Sequence, residues 1–138
     1  MPAKDLIHEA VKNALIKDGW IITADPYELE YQEVSLAVDL AAEKLFEATR
    51  DNQKILVEVK SFVGRSFARD FQTALGQYQM YQGILEATLT PDVLYLAISD
   101  VVYLRFFRQN IYQMLVERFE MRLLIVDIEK EEIVSWAS

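Results

Sequence analysis

Three side chains in this sequence have the types and the setting for phosphoryl chemistry. Glu58 and Lys60 lie in the run Ile55-Leu56-Val57-Glu58-Val59-Lys60. Alternation along a strand puts both on one face with Leu56, while Ile55, Val57 and Val59 take the other. An acid and a base on an otherwise apolar strand are costly to bury unless they are paired or used. Alone, a Glu-x-Lys pair reads most simply as a structural ion pair. Asp39, in Ser35-Leu36-Ala37-Val38-Asp39-Leu40-Ala41, adds a second reading. If that segment is extended, Leu36, Val38 and Leu40 line one face and Asp39 takes the other, where it can meet Glu58 across the sheet. Two convergent carboxylates suit a hard, oxygen-seeking cation, Mg²⁺ or Mn²⁺, with water and a substrate phosphate in its remaining positions. Lys60 would then orient or help deprotonate the attacking water and offset charge building on the phosphate. If Asp39 to Glu43 were instead a helical turn, Glu43 would share the face of Asp39 and compete as a ligand.

Other residues could join or flank such a site. Gln77 and Tyr81 stand four apart on one face of a long helix. These types at this spacing commonly complete a core or satisfy a buried polar group, and beside a metal site they would support it. Arg65 and Arg69 flank the start of the same helix and read either as phosphate contacts or as plain surface charge. His8, the single histidine, has no evident partner in the sequence and reads as a solvated residue on a helix surface.

The elements that must position these residues follow from periodicity. Leu6, Ile7, Ala10, Val11, Ala14 and Leu15 recur at helical spacing over roughly Ala3 to Lys17, and Asp18-Gly19 supplies a stop. Trp20 to Thr23 is short and β-prone, with Asp25-Pro26 as a turn. Ser35 to Lys60 reads as extended structure with an internal turn at Asp51-Asn52, and is the expected centre of the sheet. Ser66 to Thr88 reads as a long helix with Ser66 as its N-cap. A buried strand follows over Asp92 to Ile98, then a mostly helical stretch over Val101 to Phe119, a strand over Arg122 to Ile128, and a final extended piece from Ile133 to Trp136. Phe106, Phe107, Tyr112, Met114 and Leu115 make the late helix unusually apolar, as core with some partner or self-association surface.

Composition bounds the function classes. The 138 residues suffice for one sizeable core and carry no sign of a linker or repeat, so one domain over 1–138 is expected. No Cys is present, which excludes thiolate zinc sites, disulfides and a cysteine nucleophile, and a single His cannot make a multi-histidine centre. No apolar run reaches the ~20 residues needed to span a bilayer, and no secretory pattern opens the chain, so a cytoplasmic setting with no membrane partner is expected. The formal charge of -8 weighs against tight, unaided binding to DNA. It leaves room for a nuclease whose bound cations, or whose basic partner, offset it.

The pattern Asp39…Glu58-Val59-Lys60 resembles that of the PD-(D/E)xK nuclease superfamily, and Gln77-x-x-x-Tyr81 resembles the accessory motif of its RecB-like branch. Val38 stands where that superfamily often has Pro, a residue the chemistry does not require. A resemblance to the XisH family, cyanobacterial controlling factors for excision of the fdxN element, covers nearly the whole chain. It rests on Val38-Asp39-Leu40-Ala41-Ala42-Glu43, on Ile55 to Phe62, on Ala74-Leu75-Gly76-Gln77-Tyr78, on Leu94-Tyr95-Leu96-Ala97 and on Ile133-Val134-Ser135-Trp136.

These resemblances imply a restriction-endonuclease-like three-layer α/β/α domain with a central mixed sheet. They also imply a role in programmed DNA rearrangement beside a separate recombinase and a companion protein, XisI. Superfamily members carry an acidic residue on the first helix, and by position Glu9 is its counterpart, with His8 a poorer one. Two functions stay open: a Mg²⁺- or Mn²⁺-dependent endonuclease, or a non-catalytic regulator that keeps the nuclease fold and works in a complex with its companion, homo-oligomers included.

Overall fold

The computed structural model describes residues 3–46 and 51–137. Helix α1 (Ala3–Lys17) leads into β1 (Ile21–Ala24), β2 (Tyr27–Tyr31), β3 (Val34–Val38), β4 (Leu40–Phe46) and β5 (Asp51–Val59). Helix α2 (Phe67–Ala87) and β6 (Val93–Ser99) follow. The short α3 (Asp100–Val102) runs into a π-helical turn at Tyr103–Phe107, and α4 (Asn110–Arg118), β7 (Leu123–Asp127) and β8 (Glu132–Ala137) complete the order.

Six strands form one mixed sheet in the order β1-β4-β5-β6-β7-β8, and β2 and β3 pair as a separate hairpin. The β5/β6 and β6/β7 pairs are parallel, and the other pairs are antiparallel. Parallel neighbours need a crossover; α2 supplies the first and the α3–α4 segment the second. Alternation along β5 then divides the core. Ile55, Val57 and Val59 pack with Val11, Ala14 and Leu15 of α1, whereas Leu56 packs with Phe71, Ala74, Tyr78 and Leu85 of α2. The result is the expected three-layer α/β/α arrangement around a mixed sheet. Among the described residues no helix is long and apolar enough to cross a membrane.

Helix boundaries follow local chemistry. The Ser66 hydroxyl accepts from the Arg69 N–H at 3.2 Å, capping α2 as anticipated. The expected late helix is real but interrupted, because the π-helical turn and Arg108-Gln109 separate α3 from α4. There Phe107 is buried against Phe71, and Phe106 stacks on Phe67 with ring centroids 4.2 Å apart.

Two expectations are corrected. Asp51 and Asn52 do not form a turn: they pair with Phe46 and Leu45 at the end of a ladder that begins at Leu40↔Val57. Their backbone groups belong to the sheet, and the β4–β5 connection falls at 47–50, outside the described residues. Nor do Leu36, Val38 and Leu40 share a face. The chain bends at Asp39 as it passes from the small hairpin into the main sheet, so Val38 joins the core beneath α2 and Leu40 the core beneath α1.

Tyr78 ties α2 to the parallel strands. Its buried hydroxyl donates to the Leu94 carbonyl and accepts from the Arg122 N–H, both at 3.1 Å. Tyr78→Phe would leave a buried carbonyl and an N–H without that partner, and should cost about 1–3 kcal/mol in urea unfolding with an unchanged fold. A midpoint equal to that of the parent protein would show that these bonds contribute nothing.

Candidate functional site

The bend at Asp39 brings its carboxylate to the end of β5. Asp39 Oδ2 accepts from the Val59 N–H at 2.8 Å, and the Asp39 N–H donates to Glu58 Oε1 at 3.3 Å. Each acidic residue therefore uses the backbone beside the other, and the two carboxylates converge although 19 residues separate them in sequence.

Glu58 lies on the α2 face of β5 and is only 5 % exposed. Its Oε2 accepts from the Tyr81 hydroxyl at 3.2 Å and lies 3.7 Å from Lys60 Nζ. Tyr81 is also 3.3 Å from the Ala37 carbonyl. One hydroxyl proton cannot serve both acceptors fully. Lys60 extends the parallel ladder through its N–H to the Ala97 carbonyl at 3.1 Å, which keeps its side chain on the same face as Glu58.

Burial and, after it, the neighbouring Asp39 charge push the Glu58 carboxyl up to about 7, against the opposing pull of Lys60. Burial and the same Glu58 charge raise the Tyr81 hydroxyl as well. With both carboxylates ionised, the site carries more negative charge than Lys60 neutralises. A hard divalent cation matches that donor set of converging carboxylate oxygens.

His8 is placed differently from its expected solvated position. Its Nε2 lies 2.9 Å from Asp25 Oδ1 and its Nδ1 4.0 Å from Asp39 Oδ1. Lys12, one turn further along α1, donates to Asp25 Oδ2 at 2.8 Å. Burial acts to raise the Asp25 carboxyl, but Lys12 and His8 outweigh it and hold the group below its usual range. In the sequence Asp25 reads only as a turn residue before Pro26. The signal that reading passes over is the His8/Lys12 pair, four apart on one helix face with an acid available to bridge it.

The remaining candidates gather less closely. Glu9 is exposed, and its carboxylate falls with His8 and Asp25 in a group whose ligand atoms all lie within 4.8 Å of one another. Gln77 sits one turn before Tyr81 on α2, and its buried Oε1 has no hydrogen-bond partner among the described residues. Arg65 and Arg69 are exposed around the start of α2. A cavity of about 230 Å³, lined by Val59, Lys60, Ser61, Phe62, Gly64 and Asp70 among others, opens beside Lys60. Glu43 lies on a strand in register with Lys54, so the helical turn that would have made it a rival ligand does not form.

Comparison with known proteins agrees with the fold. The XisH protein family model matches residues 1–134. An XisH family protein from Nostoc punctiforme has a solved structure that is 38% identical, covers 97% of this chain and 100% of its own, and superposes with a TM-score of 0.88. A fdxN element excision controlling factor protein from Anabaena variabilis is 40% identical over 97% of this chain and 99% of its own, with a TM-score of 0.87. No curated protein matches.

Glu58 should leave a pH signature. Below its ordinary value of 4.5 the carboxyl is protonated whether the chain is folded or not, and its burial costs nothing extra. Between 4.5 and about 7 the unfolded chain gives up the proton while the folded one keeps it, so stability falls as pH rises and then levels off. The full loss is at most about 3 kcal/mol. Glu58→Gln should flatten this decline and be the more stable protein at pH 8 in urea melts. Parallel pH profiles for the two proteins would rule the account out.

Proposed function

This chain belongs to the XisH family, and we propose that it acts on DNA phosphodiesters through a divalent-cation site built on Asp39 and Glu58, in the programmed excision of a DNA element. The observation that carries this reading is the buried Glu58 carboxylate held against Asp39 with Lys60 Nζ 3.7 Å away. A carboxylate buried beside a half-buried one at a cost to stability is expected where function requires it. The excision role comes from the relative in Anabaena variabilis, which is named a fdxN element excision controlling factor.

Asp39 and Glu58 would hold Mg²⁺ or Mn²⁺, with Glu9 on α1 as an outer ligand. When bound, such an ion polarises a phosphoryl oxygen and makes water more acidic. Lys60 lies where an ammonium can orient the attacking water and balance charge developing on the phosphate. Tyr81 donates to Glu58 Oε2 and so fixes which lone pairs of that carboxylate face the site. Gln77 supports the same wall from the preceding turn. Arg65 and Arg69 would contact flanking phosphates, whose spacing along the strand suits exposed cations near α2.

One observation favours a second reading. A formal charge of -8 works against holding DNA without help. In that reading the chain is a regulator that keeps the fold and acts in a complex with an XisI-like companion, which supplies the cationic surface.

A cleavage assay separates the two. With Mg²⁺ or Mn²⁺ and labelled duplex or single-stranded DNA, the chain, alone or with its companion, should cut. Asp39→Asn and Lys60→Ala should each lower the rate about a hundredfold or more while the circular dichroism spectrum stays unchanged. Full companion binding with no metal-dependent cleavage would decide for the regulator. A rate untouched by both substitutions would remove these residues from the chemistry.

A further inference from the structure

The Asp25–His8 pair is not required by the two-carboxylate site, and its geometry is specific. Asp25 is pinned from one side by Lys12 at 2.8 Å and meets His8 Nε2 on the other oxygen at 2.9 Å. An ionised carboxylate only accepts hydrogen bonds, so the imidazole proton that satisfies it sits on Nε2. In the neutral ring Nδ1 then carries the lone pair, 4.0 Å from Asp39 Oδ1. That gap is too wide for a hydrogen bond. Two lone-pair donors at this distance can share a cation, since bonds from imidazole nitrogen and carboxylate oxygen to a divalent ion are about 2.0–2.2 Å each.

A carboxylate that accepts from the far nitrogen of an imidazole is a common means of fixing the ring's tautomer and direction toward a metal. The three elements involved are separate in sequence: His8 and Lys12 on α1, Asp25 after β1, and Asp39 before β4. The ring meets an Asp25 carboxylate already engaged by Lys12, a contact between side chains that are about a quarter exposed.

We propose that Asp25, locked by Lys12, is a positioning residue that turns the His8 imidazole toward Asp39 and so adds a nitrogen donor to the carboxylate site. The proposal rests on the reading that Asp39 and Glu58 bind a divalent cation. It adds His8, 4.0 Å from Asp39, to the α1 contribution beside the exposed Glu9. Asp25 itself touches neither the cation nor the substrate; it acts through the ring.

Because His8 is the only histidine, its imidazole can be followed without interference from another. Mn²⁺ alone is the probe, with two readouts on the full chain: broadening of the His8 ring signals in ¹H–¹⁵N spectra, and the Kd from calorimetry. In the parent protein the ring signals should broaden selectively at low Mn²⁺ occupancy. Asp25→Ala should weaken Mn²⁺ binding about 10- to 100-fold, the usual effect of losing such a support. Lys12→Met should do the same to a smaller degree, and serves if Asp25→Ala does not fold. His8→Ala should weaken binding at least as much, and Asp25→Ala placed on that background should add nothing further.

An equal additional loss on the His8→Ala background would overturn the proposal, because Asp25 would then act by some route other than the ring. Unbroadened ring signals at saturating Mn²⁺ would overturn it too. If Mn²⁺ binds, and Asp39→Asn abolishes binding while Asp25→Ala leaves it unchanged, only this inference falls. If the parent protein binds no Mn²⁺, the reading beneath it falls as well.

Discussion

The structure turns on one constraint: the Glu58 carboxylate must sit inside the core within reach of a second carboxylate from a distant segment. The solution is the crossed pair of bonds in which Asp39 accepts from the Val59 N–H at 2.8 Å and donates its own N–H to Glu58 at 3.3 Å. To make those bonds the chain must bend at Asp39. The bend in turn hands the polypeptide from the β2–β3 hairpin to the main sheet and sends Val38 and Leu40 into opposite halves of the core. Helix α2 must then lie where Tyr81 reaches Glu58, and Tyr78, on the same helix, bolts it to the β6 and β7 end of the sheet.

Seen energetically, the site is a deliberate loss. A buried carboxyl pushed up to about 7 by its surroundings destabilises the folded chain wherever the unfolded one is ionised. Lys60 and the Asp39 N–H reduce that loss without removing it. The rest of the core offsets it, with Leu56, Val57 and Ile55 of the same strand fully buried on both faces. The run Ile55–Val59, apolar apart from the one residue that chemistry would use, is the arrangement expected when function overrides local consistency.

Much of this was legible in the sequence because strand alternation is a local rule. The faces of β5 follow directly from Ile55 to Lys60, and the helical spacing of Leu6 to Leu15 and of Phe67 to Leu85 places α1 and α2 correctly. The convergence of Asp39 on Glu58 could also be anticipated, since both lie on neighbouring extended segments. What failed was information held only in tertiary contacts. The same Val-Asp-Leu stretch reads as one straight strand until the Val59 N–H claims the Asp39 carboxylate. His8 reads as a surface residue because its partners are 17 and 31 positions away, at bends that periodicity cannot place. The turn assigned to Asp51-Asn52 followed residue preference, and the register with Leu45 and Phe46 overrode it.

If Asp39 and Glu58 together bind a divalent ion, Glu58 must give up a proton to do so at any pH below about 7. Calorimetric titration with Mn²⁺ in buffers of different ionisation enthalpy counts that proton directly. At pH 6 the account requires the parent protein to release close to one proton more per ion bound than Glu58→Gln does, a difference that falls toward none at pH 8.5. Binding of Mn²⁺ with no proton released at pH 6, or with the same release from Glu58→Gln, would contradict it.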